Sequence, residues 1–153
     1  MRESTVKEIM TQFIQTIPIG STVIESAQIM SEVGIGSIVV VSHEGKPVGI
    51  VTERDIVAKV ALQDLNSSKV PVEKIMSQPI ITIEPDKIID EAALMMSIYG
   101  IRRLVVIGKD GKPSGIVTTT DIAWWLSRSE DYKNNALNAI ARLHNMEQSI
   151  PYQ

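Results

Sequence analysis

The strongest constraint on this fold is an internal repeat with a period of 66 residues. Residues 6–56 and 72–122 align without a gap and are identical at 24 of 51 positions. Duplication is the simplest explanation for this similarity, and it predicts that both halves of the chain adopt one structural unit. Because a unit of about 50–60 residues is only marginally stable alone, the two copies are expected to pack together and share one interior.

Each copy predicts a short strand followed by an amphipathic helix. A β-rich run occupies residues 14–17 and recurs at residues 80–83. Apolar residues at helical spacing follow it, and a glycine, Gly34 or Gly100, ends each helix.

The helix starts carry different capping residues in the two copies. Thr22 with Glu25 three residues later forms a capping-box pattern, and the second copy has Asp86 as its expected cap.

The rest of each copy predicts a buried hairpin and a closing helix. Continuous apolar runs flank a turn at Glu44–Gly45 and at Asp110–Gly111. The strands are expected at residues 37–41, 48–51, 104–107 and 116–117, and the closing helices at 53–61 and 119–127. The fold class is therefore α/β (α+β), with two tandem β-α-β-β-α repeats packed about a pseudo-two-fold axis and a cleft between them.

Composition removes several classes of function. The net charge is −3, with 15 basic and 18 acidic residues mixed along the chain, so no positive field attracts nucleic acid or an anionic membrane. The chain has no cysteine and only two histidines, far apart, so we expect no metal site and no catalytic thiolate. The N-terminus carries no apolar run and no segment is long enough to span a bilayer, so we expect a cytoplasmic protein.

The most specific motif is Gly-Ile-Val-Thr-x-x-Asp, which runs from Gly49 to Asp55 and again from Gly115 to Asp121. In a structural interpretation, the threonine caps the closing helix and the aspartate favours the positive end of that helix. In a functional interpretation, N–H groups and a hydroxyl at the helix start bind phosphate, and the carboxylate accepts the hydroxyls of a ribose. The two interpretations are compatible.

The duplicated unit, its Ile-Met openings at residues 9–10 and 75–76 and its two closing motifs resemble a pair of CBS (cystathionine β-synthase) domains, also called a Bateman module. The resemblance places the first domain at residues 6–62, the second at 72–128 and a helical tail at 129–153. It implies a regulatory module that binds AMP, ADP or ATP between the repeats, catalyses nothing, forms a homodimer and signals to a protein partner. S-adenosylmethionine is an alternative ligand.

The resemblance also implies two unequal pockets. In pocket A, Asp55 would hold the ribose, while phosphate would meet Thr52 and Arg54. The opposite wall of pocket A would come from the second copy, through Ile80, Ile81, Ile101, Arg102 and Arg103. Arginine suits phosphate because its planar guanidinium makes bidentate, charge-assisted hydrogen bonds. Without the resemblance, Arg102 and Arg103 are simply solvated side chains at a strand entrance.

Pocket B would combine the second closing motif with the first copy. Its expected residues are Thr118, Thr120, Asp121, Ile14, Gln15, Ile35, Gly36 and Ser37. Gly36 and Ser37 stand where pocket A has Arg102 and Arg103, and Thr120 stands where it has Arg54. A phosphorylated nucleotide should therefore prefer pocket A, leaving pocket B empty, weaker or specific for a less negative ligand.

Three other classes of protein are alternatives. An enzyme is disfavoured because the sequence has no Walker loop, nucleophile–base set or metal cluster. A structural dimer without a ligand and a nucleic-acid binder are the other two, the latter without support from the charge. One of Trp124 and Trp125 is expected in the core and the other at a subunit contact, and His43 is expected as a solvated side chain at a hairpin tip.

Overall fold

The computed structural model describes residues 3–12 and 14–128, which form two compact units. The three-stranded unit comprises residues 14–81 and 109–113, and the four-stranded unit comprises residues 3–12, 82–108 and 114–128. Each unit packs helices against one sheet, which confirms the predicted α/β class.

The three-stranded unit has the strand order β2-β3-β4. Its elements are β2 (Thr16–Pro18), α2 (Val23–Val33), β3 (Ser37–Val41), β4 (Pro47–Thr52), α3 (Glu53–Ile56), a π-helical turn (Val57–Ala61) and a 3₁₀ turn (Val72–Lys74). Strand β2 is parallel to β3, and β3 is antiparallel to β4.

The core of this unit is aliphatic because alternate residues of the hairpin and one stripe of α2 face the same interior. Ile38, Val40 and Val51 come from the sheet, and Val23 and Met30 come from α2. All five are at most 4% exposed, so burial of aliphatic surface supplies the main stabilising term.

The four-stranded unit has the order β1-β7-β6-β5. Its elements are α1 (Val6–Ile9), β1 (Thr11–Gln12), β5 (Thr82–Ile83), α4 (Ile89–Tyr99), β6 (Arg103–Ile107), β7 (Pro113–Thr118) and α5 (Thr119–Arg128). Strand β1 is antiparallel to β7, and β5 is parallel to β6.

The opening segment of each copy packs against the closing hairpin of the other copy. In the four-stranded unit, a Cβ placed at Gly115 would lie 2.7 Å from Sδ of Met10. In the three-stranded unit, a Cβ at Gly49 would overlap the side chain of Met76. Ser77 and Ile50 also exchange backbone hydrogen bonds of 2.9 and 3.3 Å. The two parts of the repeat signature, Ile-Met and Gly-Ile-Val-Thr, therefore meet each other, and the compact units differ from the sequence repeats.

The predicted first strands are longer than the observed ones. Ile14 and Gln15 precede β2, and Ile80 and Ile81 precede β5, so all four lie outside the strands. The predicted hairpins are confirmed, with β3–β4 and β6–β7 pairing side by side.

The capping residue predicted for α4, the helix of the second copy, was wrong. Thr22 caps α2 as predicted, with its N–H donating to Oε2 of Glu25 at 2.7 Å. The cap of α4 is Ile88 and not Asp86. Ile88 has no side-chain acceptor, and the N–H of Ile89 instead donates to the carbonyl of Ser4 at 3.1 Å.

The remaining helix ends agree with the predictions. Gly34 and Gly100 end α2 and α4 in the left-handed conformation, with φ of 75° and 62°. The first closing helix is α-helical for one turn and then widens into the π-helical turn, whereas α5 is regular. The predicted tail helix lies outside the described residues. Within those residues, no helix combines the length and apolar character needed to cross a bilayer.

Candidate functional site

The first closing motif forms a tight capping box at the start of α3. The N–H and hydroxyl of Thr52 both donate to Oδ2 of Asp55, at 2.9 and 3.0 Å. The N–H of Asp55 returns a hydrogen bond of 3.1 Å to the Thr52 hydroxyl oxygen. Asp55 is only 9% exposed, so these bonds fix its carboxylate at the strand–helix junction.

The second closing motif repeats this geometry at the start of α5. Oδ2 of Asp121 accepts from the N–H of Thr118 at 2.8 Å and from its hydroxyl at 2.9 Å. The N–H of Asp121 donates to the Thr118 hydroxyl oxygen at 3.2 Å. The structural interpretation of both motifs is therefore confirmed, and in each copy one carboxylate oxygen is committed to the backbone.

The other carboxylate oxygen differs between the copies. Oδ1 of Asp55 lies 3.0 Å from Nζ of Lys59, and Nζ also donates to the carbonyl of Ile75 at 2.8 Å. The repeat places Trp125 where the first copy has Lys59. Within the described part of the four-stranded unit, no side chain donates to Oδ1 of Asp121.

The predicted residues of pocket A are divided between the two units. Asp55, Thr52 and Arg54 lie in the three-stranded unit together with Ile80 and Ile81. Ile101, Arg102 and Arg103 lie in the four-stranded unit. The meeting of Asp55 with these arginines stays a prediction.

The predicted residues of pocket B are divided in the same way. Asp121, Thr118 and Thr120 lie in the four-stranded unit, whereas Ile14, Gln15, Ile35, Gly36 and Ser37 lie in the other.

Each unit therefore carries part of each predicted pocket. In the three-stranded unit, the carbonyl of Gly36 accepts from the N–H of Glu53 at 3.0 Å, and Ser37 pairs with Thr52. In the four-stranded unit, the carbonyl of Arg102 accepts from the N–H of Thr119 at 3.0 Å. The helix starts that carry the aspartates thus lie beside the segments that carry Gly36 or Arg102.

Asp121 also lines a cavity of about 390 Å³ within the four-stranded unit. The other lining residues are Glu8, Ile9, Trp124, Trp125 and Arg128. The volume is in the range of small-molecule sites, and two indoles offer apolar surface beside a half-buried carboxylate. The guanidinium of Arg128 lies 5.2 Å from the centre of the Trp124 ring.

Sequence analysis missed Glu8 and Trp125 as neighbours of Asp121. The signal for Trp125 was available, because residues four apart share one face of a helix. Glu8 could not be predicted from the sequence, because it lies beside α5 only through the packing of the first copy's opening segment against the closing hairpin of the second copy. Of the two tryptophans, one of which was expected in the core, Trp124 is 61% exposed and so is not a core residue.

Within residues 3–12 and 14–128, no group of three or more His, Asp or Glu side chains is arranged to hold a metal ion. His43 is exposed at the β3–β4 turn. His144 lies outside the described residues.

Solved structures with the same fold contain CBS domains. The CBS domain protein TA0289 from Thermoplasma acidophilum matches with a TM-score of 0.81 and 27% identity, over 99% of this chain and 80% of its own. The CBS domain pair of protein MJ0100, solved with 5′-methylthioadenosine and S-adenosyl-L-methionine, matches with a TM-score of 0.74 and 32% identity, over 82% of this chain and 98% of its own.

Curated relatives include longer proteins. Protein MK0525 of Methanopyrus kandleri is 44% identical over 122 residues, which are 80% of this chain and 62% of that protein. Homoserine O-acetyltransferase of Methanohalobium evestigatum is 38% identical over 118 residues, or 77% of this chain and 23% of the enzyme. The chain thus spans less than two thirds of either relative.

The family model agrees with both comparisons. The CBS domain model matches residues 6–62 and again residues 72–128. These two matches cover most of the chain and contain both Thr-x-x-Asp junctions. This chain belongs to the CBS domain family and carries a pair of its domains.

Proposed function

We propose that this CBS-domain pair is a regulatory module that binds an adenine nucleotide in the cleft between its repeats and signals to a partner. The observation that carries the proposal is the duplicated Thr-x-x-Asp junction. There a rigidly held carboxylate, a threonine hydroxyl and a helix start lie within a few ångströms of one another. A carboxylate suits a ribose diol, and a helix start suits phosphate.

An adenosine-containing ligand is also supported by a structural neighbour. The MJ0100 pair, which shares 32% identity with this chain, was solved with two adenosine derivatives that carry no phosphate. Adenosine is common to all of the proposed ligands. AMP, ADP and ATP are the ligands favoured by the arginines of pocket A, and S-adenosylmethionine is the principal alternative.

The module is proposed to leave its ligand chemically unchanged. Both aspartates are held by capping bonds and would meet ribose hydroxyls, which leaves neither as a general base. The homoserine O-acetyltransferase shares only 23% of its length with this chain, so its activity gives no reason to assign catalysis to this chain. Incubation with ATP or AMP at high protein concentration should yield no product.

A homodimer is the proposed assembly. On α4, Leu94 and Ile98 lie one turn apart and are 60% and 68% exposed. The first copy has Gln28 and Glu32 at these positions of α2. Because the two copies otherwise resemble each other closely, this apolar surface favours a contact with a second chain.

A thermal-shift panel with AMP, ADP, ATP and S-adenosylmethionine tests the proposal. A ligand at 100 times its dissociation constant should stabilise the protein by about 2.7 kcal/mol. A clear rise in the unfolding midpoint with at least one compound is expected. No shift with any of the four would favour the rival interpretation, a structural dimer without a ligand.

A further inference from the structure

A second cavity, of about 230 Å³, lies in the four-stranded unit where β5 leads into α4. Its apolar lining comes from Ile83 of β5, Met95 of α4 and Ile107 of β6. None of its lining residues belongs to pocket A or pocket B. The volume is below the roughly 300–1,000 Å³ of sites for drug-sized ligands, so the cavity suits a molecule smaller than a nucleotide.

Three charged side chains line the same cavity, those of Glu84, Lys87 and Glu91. Nζ of Lys87 lies 3.5 Å from Oε2 of Glu91, and the two side chains are 44% and 48% exposed. A long ion pair at such exposure contributes little to stability, so a ligand can replace it at small cost. Among the described residues, Glu84 has no ion-pair partner.

The first copy explains why the carboxylate of Glu91 is available. Its counterpart, Glu25, accepts a hydrogen bond of 2.7 Å from the N–H of Thr22 and so completes the capping box of α2. In the second copy Ile88 replaces Thr22, and α4 begins without a side-chain cap. Glu91 is therefore not used for capping and pairs with Lys87 instead.

The other two charges also belong to the second copy alone. The repeat places Pro18 and Ser21 where the second copy has Glu84 and Lys87. Both copies build the same strand–helix connection, so the β-α-β-β-α unit does not need these charges for its fold. Their presence around a cavity favours a role in binding.

The lining matches the chemistry of an α-amino acid with an apolar side chain. The carboxylate of such a ligand can accept from the ammonium group of Lys87, and its own ammonium group can donate to Glu84 or Glu91. Two charge-assisted interactions then replace one long ion pair. A simple amine would leave Lys87 without a partner, and a simple carboxylate would leave the two glutamates without one.

We propose that this cavity is a second ligand site, which binds an α-amino acid with an apolar side chain of medium size. Lys87 recognises the carboxylate of the ligand, the two glutamates recognise its ammonium group, and the aliphatic lining holds its side chain. This inference goes beyond the proposed function, since it concerns other residues and another class of ligand.

A nuclear magnetic resonance titration of the isotope-labelled whole chain with L-leucine tests this inference. Saturable changes in amide chemical shift are expected at residues 82–91. Isoamylamine is L-leucine without its carboxylate, and isocaproate is L-leucine without its amine. Each should bind at least about tenfold more weakly than L-leucine, the loss expected for a charge-assisted hydrogen bond.

A lysine variant locates the group that binds the carboxylate of L-leucine. Lys87→Met should weaken L-leucine binding about tenfold or more. It should not weaken the binding of isoamylamine, which has no carboxylate. Lys69→Met is the matched control, because it removes an exposed lysine of the three-stranded unit and should leave the L-leucine affinity within about twofold.

A pair of glutamate substitutions locates the groups that bind the ammonium group of L-leucine. The double variant Glu84→Gln, Glu91→Gln should also weaken L-leucine binding about tenfold or more, without weakening that of isocaproate. Glu32→Gln, Glu44→Gln makes the same change of charge at exposed positions of the three-stranded unit and should leave the affinity unchanged. Unfolding midpoints verify that each variant is folded.

The outcomes are independent of nucleotide binding. The inference is overturned if L-leucine and L-methionine cause no saturable shifts, or if isoamylamine binds as tightly as L-leucine. It is also overturned if Lys87→Met and Lys69→Met bind L-leucine equally well. The thermal-shift panel with adenosine compounds tests the proposed function separately, so the failure of either one leaves the other standing.

Discussion

The side chain of Met10 packs directly against Gly115, with no room for a Cβ between them. Met10 belongs to the opening of the first copy and Gly115 to the closing motif of the second. The contact therefore holds the opening segment of the first copy on the four-stranded unit, beside the junction that carries Asp121. Met76 and Gly49 repeat it in the three-stranded unit.

Alanine at Gly115 should destabilise the protein by about 1–3 kcal/mol, the usual cost of overpacking. Its Cβ would lie 2.8 Å from the backbone oxygen of Thr11, so strand β1 would have to move. Gly49→Ala is the matched control, because its close neighbours are atoms of the Met76 side chain, which can partly rotate away. Urea unfolding should show the larger loss at Gly115, and a larger loss at Gly49 would contradict the packing described.

Leu104 lies at the centre of β6 with none of its surface exposed. Leu104→Ala should lower the free energy of unfolding by about 2–5 kcal/mol, because it leaves a cavity in the core. Leu62→Ala is the control, since Leu62 is 74% exposed and should change stability by less than about 0.5 kcal/mol. Equal losses in chemical denaturation would show that Leu104 is not a core residue.

The contribution of the α2 capping box to the free energy of unfolding should be measurable with variants of Thr22. Thr22→Ala removes the side-chain acceptor that faces the N–H of Glu25 and should cost about 0.5–2 kcal/mol. Thr22→Ser retains the hydroxyl and should recover most of that loss. If the serine variant is as unstable as the alanine variant, the cap contributes nothing and the threonine acts through packing alone.

The proposed dimer can be tested by making α4 resemble α2. The double variant Leu94→Gln, Ile98→Glu introduces the residues of the first copy at two exposed positions. It should sediment as a monomer, and the wild type as a dimer, in analytical ultracentrifugation. Gln28→Ala is a control that should leave the assembly unchanged. A monomeric wild type, or a variant that remains a dimer, would refute this surface as the interface.

Much of the fold could be predicted from the sequence, because the repeat contains the pattern of each element twice. The hairpins, the helix ends at Gly34 and Gly100 and the capping role of Thr52 all follow from local patterns. The packing of each opening segment against the closing hairpin of the other copy could not be predicted from the sequence. Met10 and Met76 are equivalent in the repeat, as are Gly49 and Gly115, so the sequence alone cannot assign the pairs.

In the candidate site too, contacts between residues close in sequence could be predicted, whereas contacts between distant residues could not. The Thr-x-x-Asp geometry and the Asp55–Lys59 pair lie within one helix start, and residue spacing predicts both. The cap of α4 could not be predicted, because a backbone carbonyl of the distant Ser4 replaces a local side chain. Glu8 lines the Asp121 cavity because it belongs to the opening segment of the first copy, whose packing against the second copy could not be predicted either.

The central claim is that the two junction carboxylates bind the ribose of an adenosine compound. Calorimetric titration of the wild type and of the double variant Asp55→Asn, Asp121→Asn with the strongest compound of the thermal-shift panel tests it most directly. The account predicts saturable binding to the wild type and an affinity lower by about tenfold or more in the folded double variant. Equal affinity in the two proteins would contradict it.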